Sequence, residues 1–331
     1  MTAGEVAVVD GVAPVVADLA SRLVPGCDPA VVGAVLAAAT AGCGGARLRD
    51  GRRASVLTRS GMPFEASVTG GDGRPAAALR YVVEPASSLP FFGPRLAAQR
   101  AVVEQLAGWL PAGAGPELAD FVATAIPDPP AVPARTRFAL FIGVVHEDDA
   151  PREPAWLKVY ANVAGDRGAL DRLAARWSGF GRLPAALPGG VDLVPRFAAI
   201  ELAASGERRA KLYLRPPAGR PVALGALLPA GLPPELAGWA GDDTVGSRSF
   251  VCAAAADGAD PALSIYLPAR DLGLDPAGLA ALVAGLARRC HGGTAAVDAL
   301  TAAAVPWEVT ALGVSGGGRK LNVYAAPGPY A

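Results

Sequence analysis

Four short segments of one form recur along the chain: Lys158-Val159-Tyr160, Lys211-Leu212-Tyr213, Ser264-Ile265-Tyr266 and Asn322-Val323-Tyr324. They are spaced by 53, 53 and 58 residues and hold four of the six tyrosines. Such regularity marks a repeated unit of roughly fifty-odd residues, each copy too small to bury its apolar face alone. Each segment lies in a β-rich run, such as Trp156 to Asn162 or Arg209 to Arg215. Side chains alternate along a strand, so Lys and Tyr share one face and the Val, Leu or Ile between them takes the other. The polar face is then enclosed, and helices must cover the apolar one.

A partner strand precedes each segment: Phe138 to His146, Val194 to Ala203, Val245 to Ala254 and Pro306 to Val314. Turn residues such as Ala204 to Glu207 and Ser315 to Gly318 join the pairs into hairpins. Ala/Leu-rich stretches, Gly168 to Trp177 and Pro276 to Arg289 among them, read as helices between hairpins. An earlier copy runs from Met62 to Val68, through a turn at Gly70 to Gly73, into Ala78 to Glu84; it puts Arg80 at the Lys position and Val82 at the Tyr position. Five hairpins give ten strands, and a row of hairpins with a polar inner face leaves open edges unless it closes. The expected fold is α+β: one domain over residues 1–331, a ten-stranded antiparallel β-barrel with a solvent-filled lumen inside a ring of α-helices, in five strand-strand-helix-helix repeats. Pro127 to Pro130 is the best linker candidate, without dividing domains.

The chain has only three lysines, Lys158, Lys211 and Lys320, and all fall in these strands. Lys320 precedes Asn322 by two residues and Arg209 precedes Lys211 by two, so both share the inward face. Arg80, Lys158, Arg209, Lys211 and Lys320 therefore converge, and several like charges in one enclosure call for an anion, such as a diphosphate. Tyrosine rings beside them would shield an allylic cation left by departing diphosphate, because aromatic faces attract cations and exclude water. Glu65 faces the same lumen, where it would accept a proton from an aromatic nucleophile, orient it, or simply pair with Arg80.

Composition narrows the partners. With 30 basic and 30 acidic residues, no electrostatic footprint for nucleic acid or an acidic membrane is present, and the apolar stretches are too short to span a bilayer. The N-terminus lacks the pattern of a signal peptide, so a cytoplasmic location is expected. Cys27, Cys43, Cys252 and Cys290 form no CxxC pair and only His146 and His291 could join them, which argues against a metal site. Cys290-His291 reads as a helix end rather than a catalytic dyad. No aspartate-rich motif calls for Mg²⁺.

Gly61 to Ser67, Leu79 to Pro85, Leu157 to Tyr160, Arg209 to Tyr213, Ile265-Tyr266 and Leu321 to Tyr324 together resemble the soluble aromatic prenyltransferases of the ABBA or PT-barrel fold, in particular the dimethylallyltryptophan synthase branch. The Arg/Ala/Gly bias has a bacterial look. The resemblance implies Friedel–Crafts transfer of a dimethylallyl or geranyl group from its diphosphate to an electron-rich ring, commonly an indole in tryptophan, a cyclic dipeptide or a peptide. It implies that Glu65 hydrogen-bonds the indole nitrogen, that Arg80, Lys158, Arg209 and Lys211 bind diphosphate, and that Tyr160, Tyr213, Tyr266 and Tyr324 form the carbocation shield. Ser264 and Asn322 depart from the longer polar side chains common at those positions. The competing reading is a non-catalytic barrel for an anionic lipid or small ligand, from which Glu65 discriminates.

Overall fold

The computed structural model describes residues 8–43, 55–58, 60–71, 78–127, 138–228, 233–237, 244–245, 248–256, 258–301, 307–315 and 319–327. Asp128, Pro129 and Pro130 of the expected linker, and Asp72, Gly73 and Gly316 to Gly318 of the expected turns, lie outside these.

Two helices, α1 (Val8–Leu23) and α2 (Pro29–Ala39), lead into the hairpin β1 (Phe64–Gly71) and β2 (Ala78–Val83). Helices α3 (Phe92–Ala107) and α4 (Ala114–Ala125) precede β3 (Leu140–Glu147) and β4 (Trp156–Asn162). Next come α5 (Ala169–Arg176) and α6 (Ser178–Arg182), then β5 (Val194–Ala203) and β6 (Arg208–Arg215). A compact excursion follows, made of β7 (Val222–Ala223), α7 (Leu224–Leu227), α8 (Pro234–Ala237) and β8 (Thr244–Val245). The chain ends with β9 (Phe250–Ala256), β10 (Ala262–Pro268), α9 (Pro276–His291), α10 (Ala295–Thr301), β11 (Trp307–Ser315) and β12 (Lys320–Pro327).

Ten strands close into an antiparallel barrel in the order β1-β12-β11-β10-β9-β6-β5-β4-β3-β2. The expected hairpins all form, with one difference. Val245 does not belong to the barrel strand; β8 pairs with β7 instead, and β9 begins at Phe250. Val245 is drawn off because it is buried against Leu227, Leu228, Val251 and Ile265, closing a small apolar cluster outside the barrel where long helices are replaced by α7 and α8.

The hydrophobic core lies between barrel and helices. Val68, Leu79, Ile142, Leu157, Val159, Leu212 and Val323 point outward and are buried in one cluster with Leu19, Leu36, Leu106, Leu118 and Leu286. Each fully buried aliphatic chain contributes about 1.5–3 kcal/mol, which fixes the register because a slip of one residue would turn this row into the lumen. Asp275 caps α9 through the backbone N–H of Gly278 at 2.7 Å, Pro276 opens the helix, and left-handed Gly292 ends it. His291, on the last turn, sits on β1 because Gly70 has no side chain: a Cβ there would lie 2.4 Å from its ring. Its Nε2 lies 3.1 Å from the Leu321 carbonyl, and Cys290-His291 forms the end of α9.

Candidate active site

Lys158 and Lys211 meet on a carboxylate absent from the sequence reading. Both ammonium groups contact the same oxygen of Glu201, Lys211 at 2.5 Å and Lys158 at 3.2 Å. β5 pairs with β4 so that Glu201 stands directly across from Lys158, a register between strands of two different hairpins. Burial opposes ionisation of Glu201, yet the ammoniums of Lys211 and Lys158 hold it well below the usual carboxylate range. Lys158 also donates to the Tyr213 hydroxyl at 2.6 Å and lies 4.2 Å from the centre of the Tyr160 ring.

The other three cations ring this pair less tightly. Arg80 approaches Glu147 at 3.9 Å rather than Glu65, and its Nε is buried without a hydrogen-bond partner. Arg209 pairs with Glu207 at 2.8 Å and stacks over Trp156 at 4.0 Å. Lys320 opens β12 at its solvent-exposed end; partial desolvation, with repulsion from Arg80 and Lys211, lowers its ammonium from the ordinary lysine value. Burial brings Lys211 to about 8, against the pull of Glu201.

The four tyrosines form a continuous chain of rings. Neighbouring centroids are 5.5 Å apart for Tyr160 and Tyr213, 5.8 Å for Tyr213 and Tyr266, and 5.7 Å for Tyr266 and Tyr324. Burial raises all four phenols above their ordinary value, so they stay neutral. Gly313 makes this packing possible: a Cβ there would stand 2.9 Å from the Tyr266 ring.

Glu65 is paired in register with Val82, which occupies the tyrosine position of the first repeat. Thr310 donates its hydroxyl to Glu65 Oε1. Thr310 lies where the β11–β12 register breaks between Val309 and Ala311, and bulges of this kind re-aim one side chain. Burial lifts the Glu65 carboxyl to about 7, while the Thr310 hydrogen bond works against the rise.

Beyond the tyrosines the lining is aromatic. Phe138 stacks on Phe141 at 4.2 Å, and Phe197 lies 5.2 Å from Phe138 and 5.1 Å from Phe250. Arg215 crosses the Phe250 ring at 3.7 Å, and its Nε too is buried without a partner. Trp307 packs on Phe64 at 6.1 Å, on the outward face. Among the described residues no group of three or more His, Cys, Asp or Glu side chains could hold a metal ion, and no helix is long and apolar enough to cross a membrane.

No protein-family model and no curated protein matches the chain. Solved structures do. The chain is similar to 5-dimethylallyltryptophan synthase from Streptomyces coelicolor at 21% identity and a TM-score of 0.73, over 99% of each chain. It is similar to prenyltransferase PriB bound to product diphosphate at 21% identity and a TM-score of 0.73, over 97% of this chain and 96% of that one. A third match is 6-dimethylallyltryptophan synthase from Micromonospora olivasterospora with DMASPP and Trp, at 20% identity and a TM-score of 0.69, over 97% of each chain. The fold is therefore that of the PT-barrel prenyltransferases, along the full length of the barrel.

Proposed function

We propose that the chain is an aromatic prenyltransferase, moving a dimethylallyl or geranyl group from its diphosphate onto an electron-rich ring, most naturally an indole. One observation carries this reading: a continuous chain of tyrosine rings begins against the Lys158 ammonium, and the Glu65 carboxylate lies within electrostatic reach of Tyr160 and Tyr324 at its two ends. The three similar structures, two of dimethylallyltryptophan synthases and one of PriB holding product diphosphate, support it.

In this reading Lys158, Lys211, Arg80, Arg209 and Lys320 hold the diphosphate. Their charge stabilises the oxygen that keeps the electron pair when the C1–O bond breaks. Tyr160, Tyr213, Tyr266 and Tyr324 face the allylic cation and keep water from it. Glu65, as carboxylate, accepts the ring N–H and raises the nucleophilicity of the ring carbons. The attacking carbon then bonds to the prenyl group, and the ring rearomatises by losing a proton. Arg215, buried and unpaired at Nε among the phenylalanines, supports an acceptor bearing a carboxylate.

The cluster of arginines and lysines supplies the charge that a metal would otherwise bring to the leaving group, so turnover without added Mg²⁺ is part of the proposal. So is action as one unit over residues 1–331 in the cytoplasm, where the four buried thiols stay reduced. The test is incubation with dimethylallyl or geranyl diphosphate and a panel of indoles, tryptophan and Trp-containing peptides, with EDTA present. A mass gain of one prenyl unit on the acceptor is expected; absence of product across the panel overturns the reading.

A further inference from the structure

The cation cluster contains its own anion, and that changes how the donor site must work. Two buried ammonium groups without a counter-charge repel each other and shed protons. Here one oxygen of Glu201 holds both, at 2.5 and 3.2 Å, and the residue is only 9% exposed. Lys158 is fixed from a second side by the Tyr213 hydroxyl at 2.6 Å. An ammonium has three N–H donors. Lys211 therefore keeps two for an incoming anion after its bond to Glu201.

We propose that Glu201 is a positioning residue for the donor: it holds the ammonium groups of Lys158 and Lys211 in place and keeps Lys211 charged before the donor binds, so that the diphosphate meets a finished site. This rests on the reading of the lumen as a diphosphate site. The groups facing the pair are Tyr160 on β4, Arg209 and Tyr213 on β6, Cys252 on β9, Lys320 on β12 and Arg80 on β2. None of them brings a second negative charge, because burial keeps the phenols and the Cys252 thiol protonated. Glu201 pulls Lys211 upward by charge and by hydrogen bond, so its loss lowers the pH at which that ammonium deprotonates.

A fixed carboxylate also repels diphosphate, and the two effects separate by pH. Binding of inorganic diphosphate is measured by calorimetry at pH 6, 7 and 8 for the wild type, Glu201→Gln and Glu201→Asp. The ratio of each variant's Kd to the wild-type Kd cancels the ligand's own titration. For Glu201→Gln the ratio should climb by about tenfold between pH 6 and pH 8, the span over which a lowered lysine loses its proton. For Glu201→Asp, which keeps the charge, it should stay level. A level ratio for the Gln variant, or one below unity throughout, overturns the proposal, as does an equal climb for Asp. Wild-type protein that binds no diphosphate at any pH removes the donor-site reading itself.

With only three lysines in the chain, ¹³Cε-labelled lysine gives each ammonium its own titration curve. In Glu201→Gln the Lys211 curve should move to lower pH; a curve that stays in place overturns the proposal independently of any ligand. Should the Gln variant fail to fold, Glu201→Ser serves in both measurements with the same expected outcomes.

Discussion

Thr310 and Glu65 stand on strands that are not neighbours, β11 and β1 with β12 between them, and the hydroxyl of one is hydrogen-bonded to the carboxylate of the other over the inner face of β12. The bond stabilises the ionised form of Glu65 against burial. Thr310→Val should therefore move the acidic limb of the rate profile to higher pH, with Thr310→Ser restoring it. A limb that stays in place in the Val variant would separate Thr310 from the chemistry.

Glu65 itself predicts a profile with two limbs. In the proposed reaction the carboxylate is needed ionised, so the rate should rise with pH through about 7, and the donor needs protonated lysine, so it should fall through about 8 as Lys211 loses charge. Glu65→Gln should lower turnover by roughly 10²–10⁴ while leaving diphosphate affinity unchanged. Steady-state kinetics paired with calorimetry checks both.

The same group has a stability signature of known sign. Burial raises the Glu65 carboxyl from 4.5 to about 7, so the folded protein binds a proton there that the unfolded chain releases. Its neutral form costs nothing at pH 4, and stability is lost as pH rises toward 7. Glu65→Gln should consequently melt higher than wild type at pH 8, a gain that shrinks at pH 4. Equal differences at both pH values would contradict this.

Gly313→Ala should damage the tyrosine chain without reaching the core. Its Cβ would meet Tyr266 at 2.9 Å and the Asn322 amide at 3.0 Å. Overpacking of this kind costs about 1–3 kcal/mol. The expected result is a folded protein with a slightly lower melting temperature that hydrolyses more donor per prenyl group transferred, read by following both products.

Arg215→Gln should raise KM for carboxylate-bearing indoles by about ten- to a hundredfold, the loss of a charge-assisted contact of about 1.5–3 kcal/mol. Decarboxylated indoles should be unaffected. Equal losses for both classes would mean that Arg215 supports Phe250 and nothing more.

Much of the barrel is legible in the chain itself. The Lys-x-Tyr spacing gave the strands, their facing and the closure, because alternation in a half-buried strand is dictated by the apolar residues between the polar ones. Three features were not readable. Glu201 belongs to a strand whose neighbouring inward residues, Phe197, Ala199 and Ala203, are all apolar, so only cross-strand register places it beside Lys158. Thr310 reaches Glu65 through a bulge, and an extra residue in one strand leaves no mark in a period-two pattern. Val245 left its strand for a contact with Leu227 and Leu228 on a distant excursion, which local alternation cannot foresee.

The order of the lumen residues along their strands carries one more consequence. On β6, Arg209, Lys211, Tyr213 and Arg215 follow one another at intervals of two residues, roughly 6.6–6.8 Å each. The wall is thus a ruler graduated in charge, ring and charge again. If the head of one molecule is pinned at the lysines and the acid group of another at Arg215, both substrates share a single column of fixed length. A longer isoprenoid tail would then shorten the room left for the acceptor, so chain length and acceptor size would be selected together rather than separately.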